Sequence, residues 1–146
     1  MEPSTLVVIA AALCIIVCAG AAVYAIKTCA PALASVTAEK PELGSKLLIT
    51  IILGEALAIY GLLIAFMIIA RMPEIETLDQ AIQSLLAAIT MSSTAVIAAI
   101  GIAYTGPAMM TAAAEKPESF TTNILGLVLS EALAIYGLLI AFMLNG

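Results

Sequence analysis

The sequence predicts an all-α membrane protein with four transmembrane helices arranged as two tandem helical hairpins. Of its 146 residues, 64% are hydrophobic and 10% are charged, and the mean hydropathy is +1.20. These values lie far outside the range of soluble domains, so a soluble enzyme is excluded. A two-helix unit also occurs twice along the chain, which predicts how the helices are paired.

Four apolar segments are each long enough to cross a bilayer, which takes about 20 residues of helix. In chain order they are residues 3–26, 47–70, 80–114 and 119–146, and the only charges within them are those of Glu55 and Glu131. Backbone in hydrocarbon must be helical or belong to a closed barrel. The connections between the segments are too short for a soluble domain, so the whole chain is predicted to belong to the membrane unit.

The duplication is carried by strings that recur 76 residues apart. Glu-Ala-Leu-Ala-Ile-Tyr-Gly-Leu-Leu-Ile-Ala-Phe-Met begins at Glu55 and again at Glu131. Ala-Glu-Lys-Pro-Glu begins at Ala38 and again at Ala114. The chain is therefore predicted to consist of a first hairpin at residues 1–70, an extracytoplasmic connection at 71–80 and a second hairpin at 81–146.

The two helices of each predicted hairpin differ in side-chain size. The first and third helices are rich in small residues, as at positions 19–22 and 98–101, whereas the second and fourth carry larger side chains and the glutamates. Small residues allow helix backbones to approach closely where lipid supplies no hydrophobic driving force. The first and third helices are therefore predicted to form a crowded inner interface, with the second and fourth outside them.

Each hairpin is predicted to turn at a polar tip. The first tip consists of Glu39, Lys40, Pro41 and Glu42, and the second consists of Glu115, Lys116, Pro117 and Glu118. Proline disfavours helix in the residue before it, and the charges need water. The lysines near the tips predict that the tips face the cytoplasm and that both termini lie on the opposite side. A solvated connector without a further role is the alternative interpretation of the tips.

Three cysteines, Cys14, Cys18 and Cys29, are interpreted as small apolar filler. Their number is odd, and no Cys-x-x-Cys pair is present. Cys14 and Cys18 share one helix face, but the sequence has no histidine and no larger thiol cluster, so no metal site is predicted.

Glu55 and Glu131 are the candidate functional residues. An ionised carboxylate is costly in hydrocarbon, so each is expected to be neutral where it faces lipid and to lose its proton beside water or a positive charge. Such a group can carry one ion through the membrane, and two per chain can carry two. Interhelical polar bonds are worth only about 0.6–2 kcal/mol, which makes a purely structural role the weaker explanation.

Four further residues are predicted to lie near the two carboxylates. Tyr60 and Tyr136 each follow a glutamate by five residues, and each hydroxyl is expected near that carboxyl or a neighbour's. An aromatic anchor at the membrane interface is the alternative role for both. Gly54 and Ser130 directly precede the glutamates, so the two sites are predicted to be similar but not identical.

Taken together, these features resemble the proteolipid, or rotor-ring, subunit of rotary ATPases, in the duplicated four-helix form of archaeal-type and vacuolar-type enzymes. The resemblance rests on the hairpin pair, the Glu-Lys-Pro-Glu tips and the two Glu–Tyr pairs, and it covers essentially the whole chain. It implies a homo-oligomeric membrane ring with the small-residue helices inside. It also implies a non-catalytic, ion-translocating subunit with no ATP site in this chain and no cofactor.

The resemblance further implies the partners of the chain. They are other copies in a ring, surrounding lipid, a stator membrane subunit whose arginine discharges each glutamate, and central stalk subunits at residues 39–42 and 115–118. No nucleic acid is implied. Many vacuolar-type duplicated subunits lack the carboxylate of the first hairpin, whereas this chain has both.

Protons are predicted as the coupling ion, with sodium as the alternative. Sodium requires several oxygen ligands, and sodium-type members of the family usually supply a glutamine from the inner helix and a hydroxyl beside the glutamate. The facing inner positions, 22–26 and 98–102, contain no glutamine, and alanine follows each glutamate. Hydroxyls that keep the sodium alternative open belong to Ser130 and, if the helix pairing is shifted by a turn, to Ser92, Ser93 and Thr94.

Two other classes of function are left as alternatives. A small transporter exchanging protons for an organic cation needs a pocket with aromatic walls, and this chain has no tryptophan, three phenylalanines and four tyrosines. A purely structural membrane ring would account for the small residues but would leave both glutamates without a role.

Overall fold

Four long helices make up almost all of the computed structural model, which describes residues 2–146. The helices are Pro3–Glu39, Ile49–Arg71, Leu78–Glu115 and Phe120–Asn145, and a one-turn helix, Gly44–Leu47, precedes the second of them. Each is long and apolar enough to cross a membrane when its adjoining turns are included. The predicted all-α fold of four membrane helices in two tandem hairpins is confirmed.

The helices are arranged in two layers. The first and third helices pack along one another, and each packs along the second helix of its own hairpin. The second and fourth helices contact each other over a shorter stretch, and the second also contacts the third. On the first helix the buried face consists largely of alanine and cysteine, including Ala10, Cys14, Cys18, Ala22, Ala25 and Cys29. These small side chains permit the close packing of the inner layer.

Glycines mark where the helices approach most closely. Gly61 lies against Cys18 and Gly137 lies against Thr94, at equivalent positions of the two hairpins. Neither glycine has room for a Cβ atom, because such an atom would overlap the facing side chain. These contacts fix how each outer helix is aligned along its inner helix.

The cysteine side chains fill space between helices. The Cys14 thiol lies 3.6 Å from the carbonyl oxygen of Gly61, and the Cys29 thiol lies 3.7 Å from that of Ile102. All three cysteines are buried and unpaired by disulfides. This packing agrees with their interpretation as small apolar filler.

Both hairpins turn in the same way at their tips. After the first helix, the N–H of Lys40 donates to the carbonyl oxygen of Val36 at 2.8 Å, and the short 3-10 turn Pro41–Leu43 follows. After the third helix, the N–H of Lys116 makes the equivalent 2.8 Å bond to Ala112, and a proline again begins the next turn. Proline suits this first position because it has no N–H to satisfy. The repeated sequence therefore produces a repeated turn.

At the end of the bundle opposite the tips, the two hairpins are tied together by polar contacts. Arg71 donates from its guanidinium to the carbonyl oxygen of Asn145 at 2.7 Å, and the Ser84 hydroxyl donates to the Asn145 side chain at 3.1 Å. Thr77 and Gln80 form a capping box that begins the third helix. These contacts hold the connection between the hairpins against the end of the fourth helix.

Candidate functional site

The two glutamates lie level with the small-residue segments of the inner helices. A Cβ atom added to Gly54, next to Glu55, would lie 3.3 Å from Ala25. Ser130, next to Glu131, lies against Gly101. Both inner-helix contacts fall within the segments 22–26 and 98–102, so the alignment of helices assumed in the sequence argument agrees with the structure.

Within one chain the two carboxylates have different surroundings. Glu131 is only 6% exposed and lies between the two hairpins. Glu55 is exposed, and it has no hydrogen-bond partner among the described residues. The chain alone therefore encloses one of its two glutamates.

Tyr60 is the hydrogen-bond partner of Glu131. Its hydroxyl donates to Oε1 of that carboxyl, so a tyrosine of the first hairpin is hydrogen-bonded to the glutamate of the second. Five residues along an α-helix correspond to a rotation of about 140°, so Tyr60 and Glu55 leave the second helix on different sides. The structure thus places Tyr60 at the neighbouring hairpin's glutamate rather than at its own. Tyr136, the counterpart of Tyr60, is 60% exposed.

The hydroxyl groups of Ser130 and Thr94 donate to backbone carbonyl oxygens. Ser130 donates to the carbonyl oxygen of Gly126 at 2.7 Å. Thr94 is within 3.0 Å of the Thr90 carbonyl oxygen and 3.1 Å of the Met91 carbonyl oxygen, both on its own helix. Ser130 and Thr94 therefore direct their protons away from Glu131, and the Tyr60 hydroxyl is the donor that reaches it.

The hairpin tips show a second contact between the hairpins. The ammonium group of Lys40 donates to the carbonyl oxygen of Ala114. Lys40 is half-buried, whereas its counterpart Lys116 is exposed. The remaining residues of the two tips are all exposed: Glu39, Pro41, Glu42, Glu115, Pro117 and Glu118.

The two hairpins therefore present complementary edges, which we call the donor edge and the acceptor edge. In the first hairpin the donor edge consists of Lys40 and Tyr60, and in the second it consists of Lys116 and Tyr136. The acceptor edges consist of the Ala114 carbonyl with Glu131 and of the Ala38 carbonyl with Glu55. Within the chain, the first donor edge meets the second acceptor edge. The other two edges are left exposed.

Sequence reasoning did not predict the packing of Gly101 against Ser130. The sequence does carry a signal for this contact, because glycine changes sides between the repeats. In the first hairpin Ala25 of the inner helix packs against Gly54, whereas in the second hairpin the inner residue is Gly101 and the outer one is Ser130. In each hairpin one partner is glycine and the other is larger, so the summed volume at the contact changes little. Such compensated exchanges are what close packing tolerates best.

Comparison with known protein families relates both hairpins to the same family. The model of that family, described as the C-subunit of ATP synthase, matches residues 9–68 and again residues 85–144. The chain belongs to the ATP synthase C-subunit family. The two matches contain both glutamates, both tyrosines and both hairpin tips. Membership of this ring-forming family agrees with the predicted assembly into a homo-oligomeric ring.

Members of the ATP synthase C-subunit family from several eukaryotes are similar to this chain. The 16 kDa proteolipid subunit of the V-type proton ATPase of Rattus norvegicus is 30% identical over 113 residues, which cover 77% of this chain and 73% of the relative. The subunit of the same name from Ascaris suum is 31% identical over 127 residues, covering 85% and 79%. The V-type proton ATPase c-subunit of Candida tropicalis is 27% identical over 106 residues, covering 73% and 66%. Family membership and the four apolar helices together establish an integral, multi-pass membrane protein.

Proposed function

We propose that this protein is the rotor-ring subunit of an archaeal-type or vacuolar-type rotary ATPase and carries protons on Glu55 and Glu131. The observation that carries the proposal is the enclosed Glu131 carboxyl, held at the contact of two membrane hairpins by the Tyr60 hydroxyl. Similarity to proteolipid subunits of V-type proton ATPases supports it. The subunit is non-catalytic, and ATP is bound and hydrolysed elsewhere in the complex.

The second site is completed by a neighbouring copy of the chain. The contact between the hairpins is head-to-tail, because a donor edge meets an acceptor edge. Applying the same relation once more places the exposed Tyr136 beside Glu55 of the next copy and Lys116 beside its Ala38 carbonyl. Head-to-tail contacts of this kind close into rings when the rotation permits. Every glutamate in the ring then accepts a hydrogen bond from a tyrosine, as Glu131 does within one chain.

The proposed mechanism alternates each carboxyl between two states. A neutral carboxyl, with one oxygen accepting from tyrosine and the other carrying the proton, can travel through lipid as the ring turns. Beside the stator arginine and its water-filled half-channels the charged form is favoured, so the proton leaves. A membrane potential drives each charge by about 2.3 kcal/mol per 100 mV. The exposed tips at residues 39–42 and 115–118 are proposed to face the cytoplasm and to contact the central stalk.

Carbodiimide labelling distinguishes protons from sodium at these sites. Dicyclohexylcarbodiimide reacts with protonated carboxyl groups in the membrane, and a sodium ion bound to the carboxyl group prevents this reaction. We expect both Glu55 and Glu131 to be labelled in the purified ring, and we expect millimolar sodium chloride at neutral pH to leave the labelling unchanged. The labelled peptides are quantified by mass spectrometry, with potassium chloride as the control for ionic strength. Protection by sodium but not by potassium would show that sodium, not the proton, is the coupling ion. If neither glutamate is labelled, the proposed ion site is wrong.

Cross-linking tests the head-to-tail ring. In a variant with Ala38→Cys and Lys116→Cys, a short bismaleimide reagent should produce a ladder of dimers, trimers and larger species on a denaturing gel. The matched control, Lys40→Cys with Ala114→Cys, places the same pair of contacts inside one chain and should remain monomeric. The native cysteines are buried and therefore out of reach of the reagent. If the 40/114 pair reacts while the 38/116 pair stays monomeric, the proposed ring contact is wrong.

A further inference from the structure

A cavity of about 260 Å³ lies between the third and fourth helices, near the tip of the second hairpin. Its deep end lies about 6 Å, or one helical turn, from the height of the glutamates, because Thr105 follows Gly101 by four positions and Gly101 lies against Ser130. The cavity thus extends from the tip toward the ion sites. It is lined by Thr105, Ala108, Met109, Ala112 and Asn123.

The equivalent positions of the first hairpin are filled. The counterparts of Thr105 and Asn123, 76 residues earlier, are Cys29 and Leu47, and both of these side chains are completely buried. Gly106 of the third helix lies against Cys29, so this side of the first hairpin faces the second hairpin of the same chain. The contact that encloses a glutamate within the chain is therefore apolar and closed on the side of the hairpin tips.

In the proposed ring the cavity lies at the contact between chains. It is on the side of the second hairpin that corresponds to the Cys29 side of the first, and that is the side that meets the next hairpin. The head-to-tail relation therefore places the cavity against the first helix of the next copy, around the exposed Ala30, the counterpart of Gly106. The same contact contains Glu55 of that copy. The cavity thus lies on the tip side of Glu55 and has no equivalent beside Glu131.

An exchange of side-chain size between the repeats supports this placement. Within the chain, a Cβ atom added to Gly106 would lie 2.6 Å from the Thr50 side chain, so the position of Gly106 accepts no side chain while threonine is opposite. Between chains the counterparts are Ala30 and Gly126. The residue that gains a side chain thus meets a residue that has lost one, and the two copies can approach closely at this height.

Nearer the tip, the next copy does not supply the volume that would fill the cavity. On the second hairpin Asn123 stands where the first hairpin has the larger and apolar Leu47. On the first helix Ala34 stands where the third helix has Met110. Met110 is completely buried and lies one turn beyond Gly106 on the same side of the third helix. Both faces of the contact between chains are therefore smaller here, and the two differences add.

The polar groups of the cavity suit water. Asn123 is exposed, and the Thr105 hydroxyl donates to the carbonyl oxygen of Gly101 at 2.8 Å, which leaves its own oxygen free to accept. A water molecule takes up about 30 Å³ in the liquid, so the cavity has room for several molecules. The amide of Asn123 and the hydroxyl of Thr105 can hydrogen-bond them at its two ends.

We propose that this cavity holds water and gives Glu55 an access route to the tip side of the membrane that Glu131 lacks. The inference rests on the proposed ring. Water that reaches within about one helical turn of the carboxyl supplies hydrogen bonds along which its proton leaves. Glu131 has a closed apolar contact on that side and depends on the stator for its exchange. The two sites share their height and their tyrosine partner, and they differ in the space on their tip side.

Thiol labelling of the purified ring tests the water-filled cavity. Thr105→Cys introduces a thiol at the position that Cys29 occupies in the first hairpin, so the native cysteine is the matched control. The reagent is a methanethiosulfonate with a permanent positive charge, which travels through water and reacts with thiolates, and thiolates form where water is present. Peptide mass spectrometry measures the modified fraction at each position. We expect the introduced thiol to be modified and Cys29 to remain unmodified.

A second substitution closes the cavity. Asn123→Leu restores the side chain that the first hairpin has at Leu47, where leucine packs without exposure. Combined with Thr105→Cys, it should abolish modification of the introduced thiol while the ring still forms.

An unmodified thiol at position 105, or equal modification there and at Cys29, would overturn the proposal. Undiminished modification after Asn123→Leu would also overturn it, because the reagent would then reach the thiol by another route. The ladder formed by the Ala38→Cys and Lys116→Cys variant separates the two levels of inference. A ladder without selective modification defeats only the water-filled cavity, whereas the absence of a ladder defeats the ring.

Discussion

Replacing Glu131 by glutamine should abolish ATP-driven proton pumping by the assembled enzyme. The amide has nearly the same size and can still accept the Tyr60 hydrogen bond at its oxygen, so the hairpins should remain packed. It cannot bind or release a proton, however. Unlike the vacuolar-type subunits that lack the first carboxylate, this chain has one on each hairpin. One inert site per chain therefore doubles the angle that the ring must turn between protonatable sites, which should stop rotation. Pumping is measured as acidification of vesicles by a pH-sensitive dye, together with the rate of ATP hydrolysis.

Glu55→Gln should have the same effect, because the ring makes the two sites equivalent. Glu76→Gln is the matched control: it makes the same chemical change at an exposed residue of the connection between the hairpins and should leave pumping intact. Normal pumping by both Glu131→Gln and Glu55→Gln would support a purely structural ring. Pumping by Glu55→Gln alone would limit ion transport to the site enclosed within the chain and would refute the two-ion proposal.

Replacing Gly137 by leucine should destabilise the packing of the third and fourth helices by about 3 kcal/mol, the upper part of the range for overpacking. Even a Cβ atom at this position would overlap the Thr94 side chain, and leucine adds three further carbons. The helices would have to separate, which would also displace Glu131 from Tyr60. Thermal unfolding of the purified ring, followed by circular dichroism and by release of monomers on a gel, measures the loss.

Gly20→Leu is the control for the effect of leucine itself. It is the same substitution on a membrane helix, at a position where a Cβ atom would meet nothing within 4 Å. Leucine favours helix over glycine by several tenths of a kcal/mol, so this variant should be at least as stable as the unsubstituted protein. Equal melting temperatures for Gly137→Leu and Gly20→Leu would show that close packing at Gly137 does not hold the hairpin together.

The chain contains one complete instance of the contact that the ring is proposed to repeat. Lys40 and Tyr60 reach from the first hairpin to the second, at the tip and at mid-height respectively. Their counterparts, Lys116 and Tyr136, are exposed, because a single chain contains no third hairpin for them to contact. A single copy of the duplicated chain thus contains one donor edge paired with an acceptor edge, and one donor edge and one acceptor edge that are exposed. The contact between chains can therefore be inferred from one copy.

The two sites differ in the residue that precedes each glutamate. Gly54 faces Ala25, whereas Ser130 faces Gly101, and the Ser130 hydroxyl donates to its own helix. The exchange alters the packing beside each carboxyl but brings no further donor to Glu131. Both sites are therefore proposed to carry the same ion.

Hydropathy and internal repetition were enough to predict the four membrane helices, their pairing into hairpins and Glu55 and Glu131 as the candidate functional residues. They do not determine the direction in which each side chain points. Lipid and a tightly packed helix interface are both apolar, so the sequence does not show which face of a helix meets which.

Only the packing of the second helix against the fourth decided that Tyr60 donates a hydrogen bond to Glu131, a residue 71 positions away. The same packing leaves Tyr136 and Glu55 exposed.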